Sequence, residues 1–352
     1  MNFYAIKSIN HLRFTLNGSV LIRLLIGGLS GMLAPVMASE SAERFLERDS
    51  VREYIRELSV EHQLDSHRIS DLFSKLKRQQ SVLDAISRPA ERTLTWREYR
   101  PIFITQERIN GGVQFLQQHK SLLKRAEDRF GVPAEVITAI IGVETYYGRI
   151  TGSYSVLEAL ATLAFDYPPR AAFFSSELTE FILLSEAEGW DTVNVKGSYA
   201  GAMGMPQFIA SSYRAYAIDF DKDGQRDLFN NPADIIGSVA NYLARAGWVE
   251  GAPIAESWMR DAGVSSSIRA LVSDTLKPDV RGDQVQALGF DSEALAIGTQ
   301  SDSRLSVMML NGKQGEELWI GYKNFYAITR YNHSHLYAMA VFQLADAIRL
   351  AS

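Results

Sequence analysis

Ile140-Ile141-Gly142-Val143-Glu144-Thr145-Tyr146-Tyr147-Gly148 puts one carboxylate on the apolar face of a helix, close to that helix's end. Pro133 is a good first-turn residue and Gly148 a good C-terminal cap, so the pattern predicts a helix between them. Ile137, Ile140 and Ile141 precede Glu144 at helical spacing and share its face. A carboxylate so placed is partly desolvated and lies near the negative end of the helix dipole, and both effects disfavour the anion. A carboxylic acid that stays protonated near neutral pH is what cleavage of a glycosidic bond requires. The competing reading is a boundary Glu whose tip reaches water, and helix position alone favours it.

Outward from this stretch most of the chain reads as helix. Phe45 to Leu58 and Asp65 to Lys77 carry apolar residues at three- and four-residue steps, with Asp65 or Ser66 capping the second run. Ser121 to Phe130 is closed by Gly131 and Asp234 to Ala246 by Gly247, while Ala171 to Glu188 and His335 to Leu350 are longer runs. The exception lies between about Val285 and Tyr322. There Arg304 to Leu310 and Glu317 to Tyr322 flank Asn311-Gly312-Lys313-Gln314-Gly315, a hairpin signal. A small β subdomain inserted into a helical body is the expected architecture.

The 352 residues suffice for one large domain or two smaller ones. A hydrophobic content of 46% and a charged content of 22% are those of a globular chain. The first 38 residues hold Lys7, Arg13 and Arg23 and no acid; without them 33 basic residues face 41 acidic ones, a balance of −8. That excludes an electrostatic footprint for nucleic acid and argues against charge attraction to anionic lipid or glycan. The basic start leads into the apolar run from Leu24 to Leu33 and then Pro35-Val36-Met37-Ala38, the pattern of an export signal cut after Ala38. The run is shorter than the roughly 20 residues of a membrane span. With no cysteine, neither a disulfide nor a lipid-modified cysteine can form.

Two further motifs carry chemistry. Asp219-Phe220-Asp221-Lys222-Asp223-Gly224-Gln225-Arg226-Asp227 has acids at positions 1, 3, 5 and 9 of an EF-hand-like loop and Gly at position 6. Position 12 is Asn230, not Glu, so Asp234 would have to supply that carboxylate from a longer loop. Calcium is favoured over a solvated acidic turn, in a structural role because the loop is far from Glu144 in sequence. Lys196-Gly197-Ser198-Tyr199-Ala200-Gly201-Ala202-Met203-Gly204-Met205-Pro206-Gln207-Phe208 combines small residues that allow close backbone approach with hydrogen-bonding and flat apolar side chains, as a sugar requires. Alone it is equally a tightly packed turn. It lacks the Lys-Ser/Thr ending of a phosphate loop.

Gly-Val-Glu-Thr-x-x-Gly, Tyr167-Pro168, Lys-Gly-Ser-x-Ala-Gly-Ala-Met-Gly-x-x-Gln-Phe, the acidic loop and Thr329-Arg330-Tyr331-Asn332 occur in this order. The chain resembles the lytic murein transglycosylase B family of periplasmic peptidoglycan-cleaving enzymes, from roughly Arg44 to the C-terminus. The resemblance implies a mainly α (α+β) fold with a lysozyme-like helical core, an additional helical domain and a small β subdomain. The corresponding spans are 1–38 signal peptide, 39–123 helical domain completed by the C-terminal helix, 124–256 catalytic core with the EF-hand-like loop, 257–320 β subdomain and 321–352 return to the core. It implies Glu144 as catalytic acid/base. Substrate contacts would come from Tyr99, Arg170, Ser198, Gln207, Phe208, Tyr242, Tyr331, Asn332 and Tyr337. Calcium ligands would be Asp219, Asp221, Asp223, the Gln225 carbonyl and Asp234. Two departures stand out: relatives can carry Arg-Arg after Tyr-Pro where this chain has Pro169-Arg170, removing one cationic contact, and the anchoring cysteine of some members is missing.

The implied reaction cleaves the β-1,4 bond between N-acetylmuramic acid and N-acetylglucosamine without adding water, leaving a 1,6-anhydromuramoyl end. One carboxylate suffices if the substrate's acetamido group assists, with Ser198 and Asn332 orienting it or the attacking hydroxyl. A muramidase on the same bond would need a second acid, Asp166 or Asp191, about 5–9 Å from Glu144; Asp166 is expected to be a local turn residue. A non-catalytic peptidoglycan-binding protein is the reading from another class. No catalytic cofactor is implied. The implied partners are glycan strands and cell-wall synthesis proteins, and the expected state is an exported, periplasmic monomer.

Overall fold

The computed structural model describes residues 45–87, 94–258, 264–292, 295 and 304–352. The expected signal peptide, residues 1–38, lies outside them. A 3-10 turn, Phe45–Glu47, precedes α1 (Asp49–His62), α2 (Ser66–Ser74) and α3 (Gln80–Ile86). Next come α4 (Trp96–Phe103), α5 (Gln106–Gln118), α6 (Lys120–Phe130), α7 (Ala134–Thr145) and α8 (Val156–Asp166), with β1 (Tyr154–Ser155) before α8. α9 (Ala171–Glu188), β2 (Lys196–Gly197), α10 (Ala210–Tyr216) and α11 (Pro232–Arg245) follow. β3 (Ala255–Ser257), α12 (Ser266–Arg269), β4 (Val280–Arg281), α13 (Gly282–Ala287), β5 (Arg304–Gly312) and β6 (Gly315–Gly321) form the β subdomain, and α14 (Lys323–Tyr331) and α15 (His335–Ala351) close the chain. The mainly helical class with a small inserted sheet is the one the sequence implied.

Local chemistry sets several boundaries. The Asp65 carboxylate accepts from the His67 and Arg68 N–H groups and caps α2, and α9 runs over the expected residues. α1 starts four residues later than expected, behind the 3-10 turn. α7 departs most. Pro133 is its N-cap, and the helix ends at Thr145 rather than Gly148. Tyr146 (φ 53°) and Tyr147 (φ 59°) turn left-handed before Gly148 does. Two bulky residues in that region are costly and persist only where tertiary contacts hold them. A short helix, α13, also occupies the start of the stretch expected to be non-helical; its first turn is fixed by the Arg281 N–H donating to Gln284 Oε1.

Three buried clusters organise the chain. One joins α4 to α7, α11, α14 and α15, with Ile137, Ile140 and Ile141 fully buried. A second joins α1 to α3 with α8, α9, α10 and the Gly/Ala turn. The third belongs to the β subdomain. The expected boundary at residues 123 and 124 does not coincide with these clusters: α1–α3 bury against the α8–α9 pair, whereas α4 and α5 bury against α7 and α15. The sheet is antiparallel in the order β3-β6-β5-β4. β5 and β6 form the expected hairpin, Gly312 opposite Gly315 across the two-residue turn Lys313-Gln314.

Candidate active site

Glu144 lies in the last turn of α7 and is 2% exposed, so the boundary reading, in which its tip reaches water, does not hold. Tyr337 of α15 donates its hydroxyl hydrogen to Glu144 Oε1 at 2.6 Å. The Tyr337 ring lies parallel to that of Tyr331, centroids 6.4 Å apart, and Tyr331 packs on Tyr242 of α11 at 4.7 Å. Phe208 completes the stack at 5.6 Å from Tyr242 and 5.7 Å from Tyr331. The Tyr331 hydroxyl donates to the Pro206 carbonyl and the Tyr242 hydroxyl to the Arg330 carbonyl, which fixes both rings. Burial first, and then the Glu144 charge, pushes the Tyr331 and Tyr337 phenols well above their usual range, and burial does the same for Tyr242. All three remain protonated donors.

A cavity of about 220 Å³ opens onto Glu144. Of the expected residues, Gln207, Phe208, Tyr242, Tyr331 and Asn332 line it with Glu144. Gln207 sits at φ 52° and donates its amide hydrogens to the Thr151 and Gly204 carbonyls at 3.0 and 2.9 Å, so an acceptor is what it has left to offer. Asn332 is 2% exposed, and among the described residues neither its amide nitrogen nor its amide oxygen has a hydrogen-bond partner. A buried amide with no hydrogen bond is rare enough to need an explanation.

The other four expected residues do not line the cavity. Tyr337 stands behind Glu144, and Tyr99 lies buried beside Tyr337, packed on Phe103 at 4.9 Å. Arg170 lays its guanidinium over Phe173 at 4.1 Å. The Ser198 hydroxyl accepts from the Ala200 and Ala202 N–H groups and closes its own turn. The small residues of that turn pack against the protein itself: a Cβ on Gly204 (φ 69°) would stand 2.5 Å from the Leu228 carbonyl oxygen.

Sequence reading missed Phe173, Tyr216, Arg330 and His333, which also line the cavity. Arg330 lies inside the quoted Thr329-Arg330-Tyr331-Asn332 motif and His333 directly follows it, so position in the motif was the signal available. Burial, then Arg330 and Arg170, lower the His333 pKa to about 4, so its imidazole is neutral near pH 7.

Neither candidate for a second carboxylate reaches the cavity. Asp166 is not a local turn residue; it pairs with Arg48 at 2.9 Å and Arg78 at 3.4 Å, tying α8 to the N-terminal helices. Asp191 accepts from Asn194 and lines a separate hollow beside Trp190. Glu144 is the only carboxylate among the cavity-lining residues.

In the acidic loop, carboxylate oxygens of Asp219, Asp221, Asp223 and Asp234 all lie within 4.8 Å of one another. Calcium–oxygen distances of about 2.3–2.6 Å allow ligands on opposite sides of one ion to be roughly 5 Å apart, so the donor set fits that ion. Asp234 is fully buried in the first turn of α11 and also accepts from the Phe220 and Asp227 N–H groups. Asn230 instead hydrogen-bonds Asp227, and the Gln225 N–H donates to Asp223.

Residues 47–346 match the family model described as the transglycosylase SLT domain. The chain is 41% identical over 301 residues to the membrane-bound lytic murein transglycosylase B of Escherichia coli K12, covering 83% of this chain and 80% of that one. It is similar in structure to the soluble lytic transglycosylase SltB1 of Pseudomonas aeruginosa, with TM-score 0.79, 47% identity and coverage of 86% of this chain and 99% of that one. The Escherichia coli lytic transglycosylase SLT35 in complex with calcium aligns with TM-score 0.76 and 39% identity, over 87% of this chain and 95% of that one.

Proposed function

This chain belongs to the transglycosylase SLT-domain family and is a peptidoglycan lytic transglycosylase, and from that premise we propose that Glu144 alone performs the proton transfers of a cleavage that consumes no water. The protonated carboxyl of Glu144 gives its proton to the oxygen linking N-acetylmuramic acid to N-acetylglucosamine, and the C1–O bond breaks. The acetamido carbonyl oxygen of the muramoyl residue shares the positive charge developing at C1. The C6 hydroxyl then attacks C1 while the Glu144 carboxylate takes its proton. A 1,6-anhydro ring results and the carboxyl is again protonated. Ordinary glycosidases divide these tasks between two carboxylates; a cavity lined by one favours the single-residue cycle.

The observation that carries this reading is Asn332, whose unpartnered buried amide lines the same cavity as Glu144. An amide donor and an amide acceptor are complementary to the C=O and N–H of an acetamide. Phe208, Tyr242 and Tyr331 offer flat apolar faces to pyranose rings. Tyr337 aims the Glu144 carboxyl through its hydrogen bond. Arg170 lies outside the cavity lining and would act on carboxylates of the peptide stem; Ser198 and Tyr99 would shape the wall rather than touch the reacting bond.

Calcium held by Asp219, Asp221, Asp223, the Gln225 carbonyl and Asp234 would supply charge neutralisation, not chemistry at the bond, and would tie the loop to the helix that carries Tyr242. The export-like first 38 residues and the substrate's location support a periplasmic enzyme. No helix of the described residues is long and apolar enough to cross a membrane. A monomer acting on glycan strands, alongside cell-wall synthesis proteins, completes the reading.

Mass spectrometry of muropeptides released from purified sacculi tests it. Anhydromuramoyl ends are expected; reducing muramic acid ends carrying solvent oxygen would replace the lyase cycle with hydrolysis.

A further inference from the structure

Arg108, on the first turn of α5, is 4% exposed and makes no ion pair among the described residues. A buried guanidinium without a carboxylate must find its compensation elsewhere. Its Nε–H donates to the Gly142 carbonyl at 3.0 Å, two residues before Glu144, and an Nη–H group donates to the Ile102 carbonyl. Both carbonyls lie in the last turns of helices, α7 and α4, where the dipole is negative; the Gly142 carbonyl also accepts the Tyr146 N–H at 3.1 Å, so Arg108 adds a second donor to it. The guanidinium faces the Tyr146 ring at 4.6 Å and the Phe103 ring at 5.3 Å. In return, the Tyr147 hydroxyl donates to the Arg108 carbonyl at 2.8 Å. Tyr146 and Tyr147 are the two residues held left-handed immediately after α7. Gly142 lets the Tyr147 ring close on the helix, since a Cβ there would stand 2.6 Å from its hydroxyl oxygen.

We infer that Arg108 is a positioning residue for Glu144: it clamps the end of the catalytic helix to α4 and α5 and holds the strained Tyr146-Tyr147 turn that fixes where the Glu144 carboxyl points. The inference rests on Glu144 as the reacting group. It gives α4 and α5 a part in catalysis although neither helix lines the cavity. The geometry is one a lysine cannot reproduce, because an ammonium lacks the planar fork that reaches two carbonyls and lies flat on a ring.

The test compares Arg108→Lys, Arg108→Met and Tyr147→Phe in the full mature enzyme. Cleavage of sacculi is scored as total glycan ends of either kind, so the result does not depend on which product forms. Binding of a chitin oligosaccharide is measured by calorimetry, and the folded fraction by circular dichroism at the assay temperature. For Arg108→Met the expected result is about a 100-fold fall in kcat, the scale of an ångström-sized misplacement, with oligosaccharide affinity held within about threefold per folded molecule. Arg108→Lys should recover only part of the loss, and Tyr147→Phe should lose about tenfold through its one missing hydrogen bond. Wild-type kcat per folded molecule in Arg108→Met overturns the inference, as does a fall in affinity that matches the fall in kcat. If Arg108→Met does not fold, wild-type kcat in both Arg108→Lys and Tyr147→Phe overturns it. A Glu144→Gln enzyme that still turns over would instead remove the premise, and is measured separately.

Discussion

The Tyr337 hydroxyl donates to Glu144 Oε1 at 2.6 Å, joining the last helix of the chain to the end of α7. Once Glu144 has given up its proton this becomes a hydrogen bond to a carboxylate, worth about 1.5–3 kcal/mol. Tyr337→Phe keeps the ring and its stacking on Tyr331 while removing that bond, so kcat is expected to fall roughly 10- to 100-fold with little change in glycan affinity. Equal losses in affinity and kcat would make Tyr337 a substrate contact instead.

Glu144→Gln keeps the shape of the side chain but can neither donate nor accept the catalytic proton. Turnover should fall by at least about 1,000-fold while oligosaccharide binding survives. Asp166→Asn is the matched control: it breaks the pairs to Arg48 and Arg78, costs about 1–3 kcal/mol of stability, and leaves kcat of the folded enzyme nearly unchanged. Residual lysis by pure Glu144→Gln, or an inactive but folded Asp166→Asn, would move the role to another carboxylate.

Asn332→Ala should lower activity on N-acetylated glycan much more than on the same glycan after de-N-acetylation. A site built to hydrogen-bond a group discriminates strongly against its absence, and that discrimination goes with the partner. Parallel rates on sacculi before and after chemical deacetylation give the ratio. An unchanged ratio in the variant would separate Asn332 from the acetamide.

What the sequence revealed, and what it hid, follows from the range of the interactions. Glu144 stood out because Ile137, Ile140 and Ile141 mark its helix face within two turns. The acidic loop and the β5–β6 hairpin are equally local. The tyrosine stack was invisible to spacing alone, since Tyr242, Tyr331 and Tyr337 come from three helices, and only the family resemblance singled them out. Gly111 and Gly112 lie buried within α5, against Tyr147, where larger residues would not fit, and nothing local in the sequence marks that packing. The end of α7 was misjudged for the same reason: Gly148 is the residue that favours a left-handed cap, but Arg108, far away in sequence, stabilises that conformation at Tyr146 and Tyr147 first.

His333 gives a pH signature. Its pKa near 4 lies below the unfolded value of 6.5, so between those values the unfolded chain binds more protons than the folded one and stability falls as pH drops. At pH 7 and above the effect is absent. His333→Gln should therefore flatten the decline in Tm between about pH 6.5 and 4 relative to wild type, although burial lowers the pKa of His119 and His335 as well and leaves part of the slope. Identical slopes in wild type and variant would mean that His333 does not titrate in this window.

Calcium should act on stability more than on rate. Four carboxylates with oxygens within 4.8 Å of one another repel strongly without a cation. An ion that binds only the folded chain stabilises it by about 2.7 kcal/mol at a hundredfold excess over Kd. Tm should rise with calcium, fall with chelator, and lose most of this response in Asp223→Ala. Asp234 anchors the first turn of α11, and Tyr242 lies two turns further along the same helix, so chelation should soften the cavity wall before it touches Glu144. The expected outcome at a temperature well below Tm is a loss of a few-fold in activity, reversed by calcium. No shift of Tm at millimolar calcium would leave the loop a solvated turn, and a shift that survives in Asp223→Ala would put the ion elsewhere.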